Sequence, residues 1–149
     1  MALGEGLGRL FDVEPEISQY TTVRGVSLKD AAGVTFVCWG LSGYAGDTFK
    51  VSASATHSGG YAAINPITRY YTKATTDGTS QWVDSGDLAS NLGTISIGSG
   101  SVAFYIGADD LPAGSMYVEV SPGTSGIVTA IVHDLEVQRN PKYLRALNA

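Results

Sequence analysis

The sequence predicts an all-β fold, an antiparallel β-sandwich or a jelly-roll-like double sheet with an extended N-terminal arm and a short C-terminal tail. Apolar residues alternate with period two through most of the chain, as half-buried antiparallel strands require. Charged residues are sparse at 15% while glycine, serine and threonine abound, and turn residues separate the apolar runs at roughly 8 to 12 residue intervals. At 149 residues the chain has the size of one domain that buries about 70% of its extended surface, enough for an ordinary core.

Taken in order, the first segment behaves unlike the rest. Leu3, Leu7, Leu10 and Phe11 have helical spacing but are interleaved with Gly4, Gly6 and Gly8. Each glycine costs a helix interior about 1 kcal/mol relative to alanine, so a helix this short would not stand alone. Residues 1–20 are therefore read as an arm, either ordered by a surface supplied from elsewhere or frayed.

A sandwich body is expected over residues 21–139. The run "GVTFVCWGL", residues 33 to 41, is apolar on both faces and rich in β-branched and aromatic residues, which suits a central strand. In "DTFKVSASAT" Phe49, Val51, Ala53 and Ala55 form a core face, and Thr48, Lys50, Ser52, Ser54 and Thr56 a wet one. "SVAFYIG" sets Val102, Phe104 and Ile106 on one side, and "MYVEV" does the same with Met116, Val118 and Val120. The longest strand is "IVTAIVHDLEVQR", for a total of eight or nine.

Turn chemistry divides these strands. Asp77-Gly78 predicts a two-residue type I′ hairpin with Thr76 opposite Thr79 and Lys73 opposite Trp82. Pro122-Gly123 predicts a second hairpin joining the strands around Val118 and Val128, and "GTISIGSGS" reads as a turn-rich strand pair. All five prolines, Pro15, Pro66, Pro112, Pro122 and Pro141, are expected between strands, where ladder donors can be spared. After the break at Asn140-Pro141, residues 140–149 form a tail whose Tyr143, Leu144 and Leu147 are apolar and whose Lys142 and Arg145 are basic.

Charge is distributed unevenly. The formal net charge is -5, which argues against a nucleic-acid partner, since phosphate binding needs a basic face. The first sixteen residues hold Glu5, Asp12, Glu14 and Glu16 against Arg9, whereas Arg139, Lys142 and Arg145 near the other end face no acid. The two ends thus carry opposite charge. No apolar stretch approaches the ~20 residues of a membrane helix, and the N-terminus lacks the basic start and unbroken apolar core of a signal peptide. Synthesis in a cytoplasm without processing is the expectation.

No catalytic, cofactor-binding or metal-binding residue is predicted. His133 and Asp134 are adjacent on a strand and point to opposite faces, so they make no base and orienter pair; His133 reads as a hydrogen-bonded strand residue. His57 falls in a Gly/Ser-rich loop. Cys38 sits in an apolar run and reads as a buried small hydrophobe. No serine lies in a Gly-x-Ser-x-Gly elbow, and the acidic pairs lack the rhythm of a calcium loop. Tyr61, Tyr70, Tyr71 and Trp82 cluster around the Asp-Gly hairpin, a composition that suits sugar stacking, although Tyr70 and Tyr71 must face opposite ways.

At "VSLKDAAGVTFVCWG", "ADDLPAGSMYVEV" and "HDLEVQRNP" the chain resembles small β-sandwich structural proteins of tailed bacteriophage virions, of the head-decoration or capsid cement type. That resemblance implies a non-enzymatic protein without cofactor, made in the bacterial host cytoplasm and carried on the exterior of an icosahedral capsid. It implies a homotrimer seated where major capsid protein subunits meet, with terminal arms reaching neighbours. The partner-binding residues would then be Leu3, Leu7, Leu10 and Phe11 in the arm and Arg139, Lys142, Tyr143 and Arg145 at the other end. A phage tail or baseplate component would share these features, and a carbohydrate-binding β-sandwich module is a third possibility.

Overall fold

A computed structural model of the chain describes residues 11–19, 22–23, 25–40, 47–86, 94–97, 100–123 and 126–135. These residues form twelve strands and one short 3-10 turn. The strands are β1 (Phe11–Gln19), β2 (Thr22–Val23), β3 (Val26–Ser27), β4 (Ala31–Trp39), β5 (Asp47–Ser54), β6 (Ala62–Ala63), β7 (Tyr70–Lys73), β8 (Val83–Asp84), β9 (Thr94–Ile97), β10 (Ser101–Gly107), β11 (Tyr117–Pro122) and β12 (Ile127–Leu135), and the turn is Ala108–Asp110. β2, β3, β6 and β8 are two-residue pairings, so the strands of four residues or more number eight, as the sequence predicts.

The strands build two antiparallel sheets, an all-β sandwich. Seven run in the order β2-β1-β12-β4-β10-β7-β8; the other sheet runs β3-β11-β5-β6, with β9 also paired to β5. The apolar run of residues 31–39 occupies a central place, hydrogen-bonded to β10 on one side and β12 on the other. Register fixes which side chains meet. Phe36 stands opposite Phe104 of β10 and Ala130 of β12, so the large ring of one neighbour is matched by the small methyl of the other. The Phe36 and Phe104 ring centroids lie 5.6 Å apart, a favourable tilted aromatic contact.

The core takes the alternating faces read from the sequence on β5, β10 and β11, less Ala55 and Met116, and adds one face each of β4 and β12. Val34, Phe36 and Cys38 from β4, Val102, Phe104 and Ile106 from β10, and Val128, Ala130 and Val132 from β12 meet Phe49, Val51 and Ala53 of β5 and Val118 and Val120 of β11. All of them are buried, each of the larger ones contributing about 1.5–3 kcal/mol over its exposed state.

Several expectations give way. Residues 11–19 belong to the sandwich and not to an arm: β1 pairs with β12, Phe11 standing opposite His133 and Glu14 opposite Ala130. Backbone pairing along an available strand edge satisfies donors that an arm would leave to water. Leu3, Leu7 and Leu10 lie outside the described residues, as do Arg139, Lys142, Tyr143 and Arg145 and the whole tail of residues 140–149. Pro15 lies within β1, in the interval between Glu14 and Ser18 where the register with β12 shifts. An irregular register is where a missing ladder donor is tolerated. Pro122 is the last residue of β11.

Pro122-Gly123 does not close a hairpin. β11 and β12 belong to different sheets, and the Gly123 N–H donates to the Thr48 carbonyl of β5 at 2.7 Å, so the chain leaves one sheet there and crosses to the other. "GTISIGSGS" is likewise divided, β9 pairing with β5 and β10 with β4 and β7. On β5 the wet face is partly dry: Ser52 and Ser54 are buried and Ala55 is exposed. Ser54 explains itself, its hydroxyl donating to the Gly59 carbonyl at 2.5 Å and accepting from the Thr56 N–H at 3.1 Å. Met116, placed with Val118 and Val120 by alternation, precedes the strand and is exposed.

The Asp-Gly hairpin has the predicted register and a different turn. Tyr71 pairs with Asp84 and Thr72 with Val83, and one further step sets Lys73 opposite Trp82. A type I′ turn needs positive φ at both central residues. Gly78 has φ 86°, but Asp30 is the one non-glycine residue with positive φ among the described residues. Asp77 instead uses its carboxylate to hold the turn, accepting from the Thr79 N–H at 2.9 Å.

Candidate functional site

The two outer faces of the sandwich differ in chemistry. On the five-stranded sheet the outward positions of β5, β11 and β3 bring Ser54 beside Tyr117 and Ser27, and Ser52 beside Glu119. Partial burial raises the pKa of the Glu119 carboxyl above its ordinary value by removing water from the charged form. The seven-stranded sheet turns Thr35, Val37 and Trp39 of β4 outward, with Ala103 and Tyr105 of β10 and Ile127, Thr129, Ile131 and His133 of β12. No other described strand layer covers this face.

Two large aromatics stand out from it, Tyr71 at 40% exposed and Tyr105 at 49%, and Trp82, 46% exposed, directly precedes β8. Register arranges them in a diagonal. Tyr71 is opposite Asp84, and Trp82 lies two residues back along that chain. Tyr71 is also opposite Ala103, and Tyr105 lies two residues on along β10. The step from Tyr71 to Tyr105 is a diagonal-neighbour step, roughly 7–8 Å, and the β7–β8 register continued one residue past the strand would give Trp82 the matching place on the other side.

The next diagonal position after Tyr105 is Gly33, opposite His133. A Cβ at Gly33 would collide with the Tyr105 hydroxyl and lie 2.5 Å from the Ile106 carbonyl oxygen, so the missing side chain lets the Tyr105 ring lie over β4. The Tyr105 hydroxyl donates to the Ala32 carbonyl at 3.2 Å. Beyond it, the His133 ring meets Tyr105 edge-on with centroids 6.1 Å apart, and His133 Nε2 is 2.7 Å from the Thr35 hydroxyl. His133 is thus a hydrogen-bonded strand residue, as expected.

Hydrogen bonds hold the hairpin that carries Tyr71 and Trp82. The Thr72 and Ser85 hydroxyls are 2.7 Å apart, the Thr75 N–H donates to the Ser80 hydroxyl at 3.0 Å, and the Thr75 and Thr79 hydroxyls each donate to Asp77 at 2.6 Å. These donors, Thr75 first, then the Thr79 hydroxyl and N–H, lower the pKa of Asp77 from 3.8 to about 2. Arg69 Nε lies 3.4 Å from Asp84 Oδ2, both side chains being exposed. Such a pair adds at most about 1 kcal/mol to stability.

Of the aromatics grouped by sequence, Tyr71 lies on this face and Trp82 directly precedes β8. Tyr70 turns inward and packs against the core. Tyr61 belongs elsewhere: it covers Gly25, where a Cβ would strike its hydroxyl, and donates to the His57 carbonyl at 3.2 Å. Tyr105 and its partners Gly33 and Thr35 were not singled out by sequence, whereas His133 was, as a hydrogen-bonded strand residue. The signal was present, since Tyr105 has the opposite parity to Val102, Phe104 and Ile106. Among the described residues no group of three or more His, Cys, Asp or Glu side chains is placed to hold a metal ion, and no helix is long and apolar enough to cross a membrane.

Phe11 is the one residue of the predicted attachment set that falls within the described strands. Its place opposite His133 means that the chain enters β1 and approaches the end of β12 at the same end of the seven-stranded sheet. Comparison of the chain with protein-family models, curated proteins and solved structures found no match in any of the three.

Two outcomes follow. Gly33→Ala should destabilise the fold by about 1–3 kcal/mol, the cost of overpacking a tight site, read as a lowered denaturation midpoint. Asp77 has a depressed folded pKa, so its contribution to the turn is complete above pH 3.8 and lost as pH falls toward about 2. The Thr79 amide resonance, followed by NMR through that range, should move with the Asp77 carboxyl.

Proposed function

We propose that this chain is a non-enzymatic virion structural protein that decorates and stabilises a tailed-phage capsid, binding major capsid protein subunits through its terminal segments. The observation that carries the reading is the pairing of β1 with β12. Because Phe11 is opposite His133, the start of β1 and the end of β12 lie side by side at one end of the seven-stranded sheet, so the leucine-bearing residues before β1 and the basic residues after β12 adjoin neighbouring strand ends in sequence.

The mechanism is collective. Leu3, Leu7 and Leu10 contribute apolar area to a neighbour at about 25 cal/mol per Å², offset by the entropy of ordering the segment. Arg139, Lys142 and Arg145 meet an acidic surface, on the capsid or at Asp12, Glu14 and Glu16 of another copy, and Tyr143 adds an aromatic contact. A homotrimer presents three such pairs, and simultaneous engagement turns modest single contacts into firm attachment.

Deletion of residues 1–10 or of residues 140–149 should leave the far-ultraviolet circular dichroism of the sandwich unchanged. Each deletion should reduce co-sedimentation with heads built from the chain's own major capsid protein by tenfold or more. Undiminished co-sedimentation of both truncated forms would contradict the reading.

A further inference from the structure

We propose that the outer face of the seven-stranded sheet binds carbohydrate, a glycan chain laid along the diagonal of Trp82, Tyr71 and Tyr105. The reading is independent of attachment through the chain ends, because the diagonal runs from the β7–β8 hairpin to β10 while the ends leave from β1 and β12.

The case rests first on what stands opposite each ring. In register, Tyr71 faces Asp84 and Tyr105 faces Thr35, and Trp82 directly precedes β8. Each of the two strand aromatics therefore has a hydrogen-bonding side chain as its direct cross-strand neighbour. A sugar ring presents a C–H face and a rim of hydroxyls together, and it is matched by flat apolar surface interleaved with donors and acceptors at each step. A protein-docking patch has another layout, an apolar centre with its polar groups displaced to the rim. Here polar groups run through the middle of the row, among them the Arg69–Asp84 pair.

The second support is relief. Ala103, small and opposite Tyr71, lies between the Tyr71 and Tyr105 rings, and Gly33 beyond Tyr105 lets that ring lie over β4; Tyr71 and Tyr105 remain 40% and 49% exposed. These rings face away from the core layer.

Third, the platform is rigid before anything binds. Tyr105 is pinned by the Ala32 carbonyl and by the space over Gly33. The hairpin is locked by its Thr72–Ser85 and Thr75–Asp77–Thr79 hydrogen bonds. An exposed hairpin needs no such network to complete a core; side chains fixed in advance lose less entropy on binding.

The test is native affinity electrophoresis of the full chain in gels containing a mixed-linkage β-glucan, an α-mannan, a galactan or a bacterial lipopolysaccharide, with sedimentation velocity run in parallel. At least one polysaccharide should retard the protein. Trp82→Ala and Tyr71→Ala should each weaken that retardation about tenfold with unchanged circular dichroism, and Trp82→Phe should retain part of it. The proposal is overturned if none of the four polysaccharides retards the protein, or if retardation survives both alanine substitutions. It is also overturned if Trp82→Ala dissolves a self-associated species, since the face would then be an interface between copies of this chain.

Discussion

The hydrogen-bonded register of β4 with β10 and β12 is the constraint on which the rest of this molecule depends. In a strand, neighbouring side chains point to opposite faces, so a single register decides both the core and the outer surface. Setting Val34 opposite Ile106 and Val132 sends Phe36, Phe104 and Ala130 inward together. The same pairing sends Thr35, Tyr105 and Ile131 outward. The core packs because these rows agree, and the outer aromatics lie open because Ala103 separates Tyr71 from Tyr105 and Gly33 makes room for the Tyr105 ring.

What the sequence made legible follows from the reach of each signal. Period-two alternation is local, and it identified the buried faces of β5, β10 and β11 nearly residue by residue, whereas β4, apolar on both faces, carried no sign of which face turns inward. The hairpin register at Asp77-Gly78 was also legible, since sequence separation alone determines it once two strands meet across a short turn. The turn conformation was not, because a carboxylate that accepts hydrogen bonds from Thr75 and Thr79 replaces the backbone geometry that Asp-Gly usually signals.

The failures share one cause. Pro122-Gly123 and the glycines around residue 98 mark where the chain turns but carry no information on whether the next strand pairs locally or crosses to the opposite sheet. In this fold consecutive strands pair only at β1–β2, β5–β6 and β7–β8 among the described residues. Residues 11–19 misled for a related reason: glycines before them and acids among them resemble an arm, and only the long-range partner β12 gives them a place. Tyr105 was hidden by its own strand, whose buried parity drew attention away from the residue between Phe104 and Ile106. The proposed functions follow this division. One rests on the pairing of β1 with β12, and the other on a face, where side chains from neighbouring strands are dispersed through the sequence.

The most direct test of the account is the cross-strand nuclear Overhauser pattern of β4 in the full chain. Backbone proton contacts should join Val34 with Ile106 on one side and with Val132 on the other. A pattern offset by one residue on either side would contradict the account, because it would turn Tyr105 or His133 toward the core and abolish the outer face as described.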